Sequence, residues 1–187
     1  MFLKRIFVTF ILAFVASAFF ATNAFAGLFE LSATGNYRKT SVDDLHYSIA
    51  SYGTGGLAYY FWELSAIETS YTRGNSATIQ PNIKIYSFFE MYEINLLITF
   101  AGKESAFKPY IKVGGAYTVR KVSEENPNVD PIRTESKGFS PVAGAGFKIM
   151  LSQQFAIKAG VDANSTPTNQ QPVVYDYNAY AGLSFLF

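Results

Sequence analysis

Few residues in this 187-residue sequence could do covalent or acid–base chemistry, and the single histidine is where such chemistry would start. His46 lies near Asp43, Asp44 and Ser48. An imidazole, a carboxylate and a hydroxyl can act together as base, orienting group and nucleophile. Nearness in sequence fixes no geometry, however, and a solvated loop histidine accounts for the same residues. There is no cysteine, which removes disulfides, thiol nucleophiles and Cys-based zinc sites, and one histidine cannot make a cluster. No catalytic residue, cofactor or metal site is therefore expected. Glu124, Glu125, Asp130 and Glu135 could attract a cation but read as a solvated loop surface. Gly53, Gly55 and Gly56 do not precede a helix, so they form no phosphate cradle. Asn164-Ser165-Thr166 matches a glycosylation acceptor and carries no weight in the setting that emerges below.

A second set of ionisable residues is more informative because each sits inside an alternating stretch: Glu30, Glu68, Lys112, Lys148, Lys158, Asp162 and Asp176. Around them the chain reads as segments of about ten residues with a period of two, the pattern of a strand with two different faces. The first segment, Leu28 to Arg38, sets Phe29, Leu31, Ala33, Gly35 and Tyr37 against Glu30, Ser32, Thr34, Asn36 and Arg38. Further strands are expected at Tyr47 to Tyr59, Leu64 to Arg73, within Pro81 to Phe100, and at Pro109 to Val122. Phe139 to Leu151, Phe155 to Ala163 and Val173 to Phe187 complete the set. The fourth is the hardest to phase, because Glu90 and Glu93 have opposite parity and cannot share a face without a bulge or a strand end. Connections alternate in length. Short ones fall around Phe61-Trp62-Glu63, Ala101 to Phe107 and Ser152-Gln153-Gln154. Long polar ones fall at Lys39 to His46, Gly74 to Gln80, Ser123 to Lys137 and Asn164 to Pro172.

The direction of the alternation decides between water and lipid outside. Turned inward, the aliphatic and aromatic residues of eight strands would crowd an interior that side chains alone can fill. Turned outward, they make a lipid-facing belt around a polar interior, and the seven charges, three cations and four anions, become a buried ion-pair and hydrogen-bond network. The expected fold is thus all-β: an eight-stranded antiparallel transmembrane barrel in up-and-down meander order. A lumen plugged by this network suits bulk flow poorly, since wide aqueous channels need about 16 strands. Aromatic residues near strand ends would mark two interfaces. Tyr59, Tyr60, Phe61, Trp62, Phe107, Tyr110, Phe155, Phe185 and Phe187 fall on the short-turn side, and Tyr37, Tyr47, Tyr71, Tyr86, Tyr117 and Tyr175 on the long-loop side.

The first 26 residues differ from the rest. Lys4 and Arg5 precede the apolar run Ile6 to Phe20, and Ala24-Phe25-Ala26 is a small-x-small exit. This is the pattern of a secretory leader, with Ala24 and Ala26 setting a cut before Gly27. The apolar run is shorter than the roughly 20 residues a spanning helix needs. A domain of 27–187 would follow. Without Lys4 and Arg5 the 15 Lys+Arg fall one short of the 14 Asp+Glu, which argues against a basic nucleic-acid binder.

On these residues the chain resembles the small outer-membrane β-barrel superfamily, the OmpA/OmpX-type barrel domain in particular. The resemblance rests on Gly27-Leu28-Phe29-Glu30-Leu31 after the exit site, Pro109 to Gly115, Gly144-Ala145-Gly146-Phe147, and the end Phe185-Leu186-Phe187. Tyr180, Gly182, Phe185 and Phe187 resemble the terminal strand signal that barrel-assembly machinery recognises in such proteins. The resemblance implies an outer-membrane location in a Gram-negative cell envelope, both termini periplasmic, and contact with outer-membrane lipid and lipopolysaccharide. It further implies four external loops that could meet an extracellular ligand, and no nucleic acid. The role implied is structural or surface-interacting. A narrow, porin-like pore for small solutes is the alternative. A lipid A-modifying enzyme is a second, since some similar barrels use His with Ser and an acid; no match to those enzymes' motifs is visible here.

Overall fold

The computed structural model describes residues 29–41, 47–62, 65–80, 83–102, 104–126, 129–166 and 174–187; within these the side chains of 38–41, 129–130, 166 and 174–175 are left aside. The expected leader, His46, Asp43 and Asp44 lie outside the described residues. Eight strands follow one another: β1 Phe29–Ser41, β2 Tyr47–Trp62, β3 Ser65–Gln80, β4 Ile83–Thr99, β5 Phe107–Asn126, β6 Val129–Met150, β7 Phe155–Thr166 and β8 Val174–Leu186. Each pairs antiparallel with its neighbours in sequence, and β8 returns to β1, so the sheet closes as a barrel. Closure removes every free edge along the paired rows, and alternation then gives each strand one inner and one outer face.

The stagger of the wall follows from the registers. Hydrogen-bonded partners lead from Glu30 through Ala58, Glu68, Asn95, Gly114, Val142 and Asn164 to Asp176. The β8–β1 register returns that row to β1 about ten residues beyond its start. With about 4.8 Å between strands and about 3.3 Å of rise per residue, the strands lean roughly 40° from the axis.

Two expected loops are strands instead. Gly74 to Gln80 continues β3, paired with Ile83 to Phe89 of β4. Ser123 to Lys137 supplies the ends of β5 and β6, which pair up to Asn126 and Val129. The period-two signal fades there because both faces of these extensions are polar or mixed, whereas backbone pairing carries the strands on regardless of face. Strand four has no bulge, so Glu93 points inward and Glu90 outward. The irregularities in pairing fall near hairpin ends, at Tyr60/Trp62 and Glu124/Asn126.

The inner face is closely filled. Toward the end that carries Phe29 and Phe187, Ala58, Ala66, Leu97 and Tyr110 form one apolar cluster with Tyr60 against it. Farther along, Met91, Ala116 and Val142 form a second, with Phe89. The outer face is the reverse of a water-soluble protein's surface: Ile94, Val113, Phe139, Val161 and Leu183 are all exposed. An apolar belt on every strand far exceeds what a monomer exposes to water.

Candidate functional site: the charged lumen and the outer wall

Alternation brings the ionisable residues of six strands into one interior. Glu30 comes from β1, Glu68 from β3, Glu93 from β4, Lys112 from β5, Lys148 from β6, and Lys158 and Asp162 from β7. At the terminus-bearing end the Lys148 ammonium donates to Glu30 Oε2 and to the Tyr60 hydroxyl, each at 2.5 Å. The Tyr60 hydroxyl in turn donates to Glu30 Oε2 at 2.5 Å. Next along the axis Lys158 donates to Glu68 in a buried pair. Above it Lys112 lies 2.7 Å from Asp162 and 3.6 Å from Glu93. The carboxylate of Glu93 also accepts from the Asn95 amide at 2.9 Å and the Ser70 hydroxyl at 3.3 Å. The three ammonium groups lie over aromatic faces as well: Lys148 over Tyr60 and Tyr110, Lys158 over Tyr110, Lys112 over Tyr180.

Each of these ions has a partner of opposite charge; a lone buried ion would cost several kcal/mol. Three lysines interleave with four carboxylates along the axis, so each cation also neighbours more than one acid. The space left beside Lys112, Asp162 and Tyr180 is small, about 50 Å³, enough for a few water molecules.

Of the seven charges expected inside, six stand in this network. Asp176 has the inward parity but lies at the far end, opposite Asn164. Glu93 takes its place as the fourth acid; its register was open in the sequence, so it could not be chosen over Glu90. Tyr60 and Tyr110 are corrected: both were expected at an interface, yet both point inward, and Tyr110 is only 1% exposed. Their even parity matched Ala58 and Lys112, a signal that their position near a strand end obscured. Tyr180 is likewise a lumen residue, its hydroxyl 2.7 Å from that of Tyr110. Its companions Phe185 and Phe187 lie on the outer side, where Phe187 stacks on Phe29 at 6.0 Å. Phe29 and Phe187 exchange both backbone hydrogen bonds, at 3.0 and 2.9 Å. Ser48, grouped with His46 in the sequence, shares a hydrogen bond with Thr78 at 3.2 Å.

The outer face carries two aromatic bands. Phe107 packs on Phe147 and Phe155 on Phe185, with centroids 5.5 and 4.9 Å apart, near the terminus-bearing end. At the far end Tyr71, Tyr92, Tyr117 and Phe139 occupy one hydrogen-bonded row across four strands. Tyr71–Tyr92 and Tyr117–Phe139 pack at 5.0 and 4.9 Å. Immediately beyond this row the outward residues become charged: Arg73, Glu90 and Lys137 share the next outward row. The Tyr71 hydroxyl donates to Glu90 at 3.0 Å. Lys137 donates to Glu135 at 2.6 Å, a hydrogen bond that holds the Glu135 carboxyl below its ordinary range and raises Lys137.

Comparison with known proteins places this geometry. A search of curated proteins gives no match. Among solved structures, the N-terminal β-barrel domain of Pseudomonas aeruginosa OprF is 15% identical, with a TM-score of 0.60 over 87% of this chain and 99% of that one. Neisserial surface protein A is 17% identical, with the same TM-score and coverage. The Yersinia pestis attachment protein Ail, solved with the heparin analogue sucrose octasulfate, is 10% identical, with a TM-score of 0.54 over 85% and 96%. Identities this low speak for the fold alone. The family model described as outer membrane protein beta-barrel domain matches residues 11–187. With a closed eight-stranded wall, an apolar exterior and a charged interior, the chain belongs to the outer-membrane β-barrel family.

Proposed function

We propose that this protein is an exported structural or surface-interaction protein of the outer membrane whose lumen is closed by its own side chains. The observation that carries this reading is the ladder Glu30–Lys148, Glu68–Lys158, Asp162–Lys112–Glu93. It occupies the axis from one apolar cluster to the other and leaves little open volume. In this reading residues 1–26 are a leader cut after Ala26, and 27–187 are the barrel. Both termini face the periplasm, and the far end faces outward with its hairpins toward extracellular ligands. Barrel-assembly machinery would receive the chain through the β8 end, and lipopolysaccharide would surround its outer half.

Single-channel recording of the purified barrel in planar bilayers tests the reading. A plugged lumen gives no steady conductance steps. Regular steps at neutral pH would overturn it in favour of the narrow pore, the reading favoured by the small cavity beside Lys112 and Asp162. His46→Ala is expected to leave the lipid A of the host unchanged; loss of a lipid A modification would make the protein an enzyme.

A further inference from the structure

The ion pairs of the lumen do not balance. Glu30 with Lys148, and Glu68 with Lys158, set one acid against one base. The third group sets two acids, Glu93 and Asp162, against Lys112 alone. One negative charge is left over, and it belongs to this group. The other inward cations of β5 are distant: Lys108 stands four residues before Lys112, and Arg120 four residues after Ala116, each roughly 13 Å along the strand. The Arg120 Nε donates instead to Ser87 at 2.9 Å. Asp176, in the row of Asn164, adds negative charge rather than positive.

The same place gathers buried oxygens with no donor. Asn95 is 1% exposed. Its amide nitrogen donates to Glu93, while its Oδ1 has no hydrogen-bond partner among the described residues. Asp162 Oδ1, Asn164 Oδ1 and the Ser140 hydroxyl share that condition. The registers put all of them on three successive inward rows: Glu93–Ala116–Ser140, Asn95–Gly114–Val142–Asn164 and Lys112–Gly144–Asp162. A carboxylate and an amide carbonyl have no proton to give, so they cannot satisfy one another. They are the oxygens that replace the hydration shell of a hard cation. The cavity of about 50 Å³ lies against Glu93, Lys112 and Asp162, with space for an ion and a water beside it. The spare charge is a single one, and no third acid or imidazole joins the group among the described residues, so a divalent ion is poorly matched.

We propose that the Glu93–Lys112–Asp162 group holds one monovalent alkali cation, sodium or potassium, liganded by the two carboxylates and the free amide oxygen of Asn95. The ion is a resident of the lumen and completes its charge balance. The proposal rests on the ladder of ion pairs that also carries the closed-lumen reading.

Two readouts test it on the full-length protein, folded in detergent and checked for a heat-shifted band on a gel. The first is urea unfolding in sodium, potassium and N-methyl-D-glucamine chlorides at equal ionic strength, the last cation being too large for the cavity. An ion held only by the folded barrel raises the folding constant about tenfold for each tenfold rise in concentration above its dissociation constant. Wild type is expected to show this dependence on sodium or potassium. Asp162→Asn, in which Lys112 keeps Glu93 as its partner, is expected to show none. Glu93→Gln is expected to lose it as well, so the test stands if one of the two variants fails to fold. The second readout is anomalous scattering from crystals soaked in rubidium, with a peak expected between Glu93 and Asp162 in wild type and none in Asp162→Asn. Equal stability of wild type in all three chlorides overturns the proposal, as does a sodium dependence that persists in both variants. A carboxylic-acid carbonyl band in the infrared spectrum, lost in Asp162→Asn and unaccompanied by any cation dependence, assigns the spare charge to a proton and also overturns it. A wild type without a heat-shifted band overturns the membrane-barrel reading and the proposal together. Conductance steps with the cation dependence retained overturn the closed lumen and support the site.

Discussion

The hydroxyls of Tyr110 and Tyr180 meet at 2.7 Å inside the barrel, and on the wall between them lie only Gly146 and Gly160. All four residues share one hydrogen-bonded row, so each ring folds over the glycine beside it. A Cβ at Gly146 would lie 2.6 Å from the Tyr110 hydroxyl, and one at Gly160 2.6 Å from that of Tyr180. The bare backbone of β6 and β7 is what lets two large rings reach the axis, where they also underlie Lys112, Lys148 and Lys158.

Gly160→Ala should therefore destabilise the barrel by about 1–3 kcal/mol through overpacking. The added carbon would also crowd the Ala145 carbonyl oxygen at 2.7 Å, so Tyr180→Phe should relieve only part of the loss. Urea midpoints, read from the heat-shifted band, measure both.

Lys158→Met should cost about 3–5 kcal/mol, because it leaves Glu68 charged and unpaired in the lumen. The double variant Lys158→Met, Glu68→Leu should recover most of that loss, since two apolar side chains of similar size replace the pair. A double variant as unstable as the single one would mean that the lumen needs ions for some reason other than mutual pairing.

Ile94 and Ile132 are comparably exposed, at 64% and 57%, yet they face different surroundings. Ile94 lies below the aromatic row on the lipid-facing belt, and Ile132 on the β5–β6 hairpin beyond it. Ile94→Arg should destabilise the folded barrel in lipid bilayers by about 2–4 kcal/mol, and Ile132→Arg by less than about 1 kcal/mol. Equal costs would place the membrane elsewhere on the wall.

Phe187→Ala removes the ring that stacks between Phe29 and Phe185. Insertion in cells is expected to fall several-fold, measured as the outer-membrane fraction of total protein. Refolding of the purified variant in detergent should change little. A parallel loss in both assays would make the residue important for closure rather than for recognition during assembly.

The eight strands and the sense of their faces were legible because a period of two survives wherever one side meets lipid and the other a crowded interior. Ile67 against Glu68, and Ile111 against Lys112, are pairs that no other arrangement satisfies cheaply. The signal was lost where that contrast is lost. Gly74 to Gln80 and Ser123 to Lys137 have mixed polarity on both sides, so strand extensions read as loops. Strand four hid Glu93 because Phe88, Phe89, Met91 and Tyr92 put bulky residues on both faces. Tyr60, Tyr110 and Tyr180 were misplaced or underused for a chemical reason: a phenol suits an interface, and it equally suits an ionic interior with a lysine and a carboxylate to bond.

The paired hydrogen bonds between Phe29 and Phe187 have a consequence for the order of events as the protein forms. Seven of the eight strand pairings join neighbours along the chain and can zip from their turns. The eighth joins the two ends of the wall, and its closure must gather everything between them, which makes it the slow, entropically late event. Until it occurs, β1 and β8 are two bare edges able to pair with any other strand in reach. The Asn36 side chain, which donates across to the Ala179 carbonyl, adds a latch beyond the paired stretch Glu30 to Gly35. The time the protein spends exposed to misassembly is thus set by how fast that seam fastens.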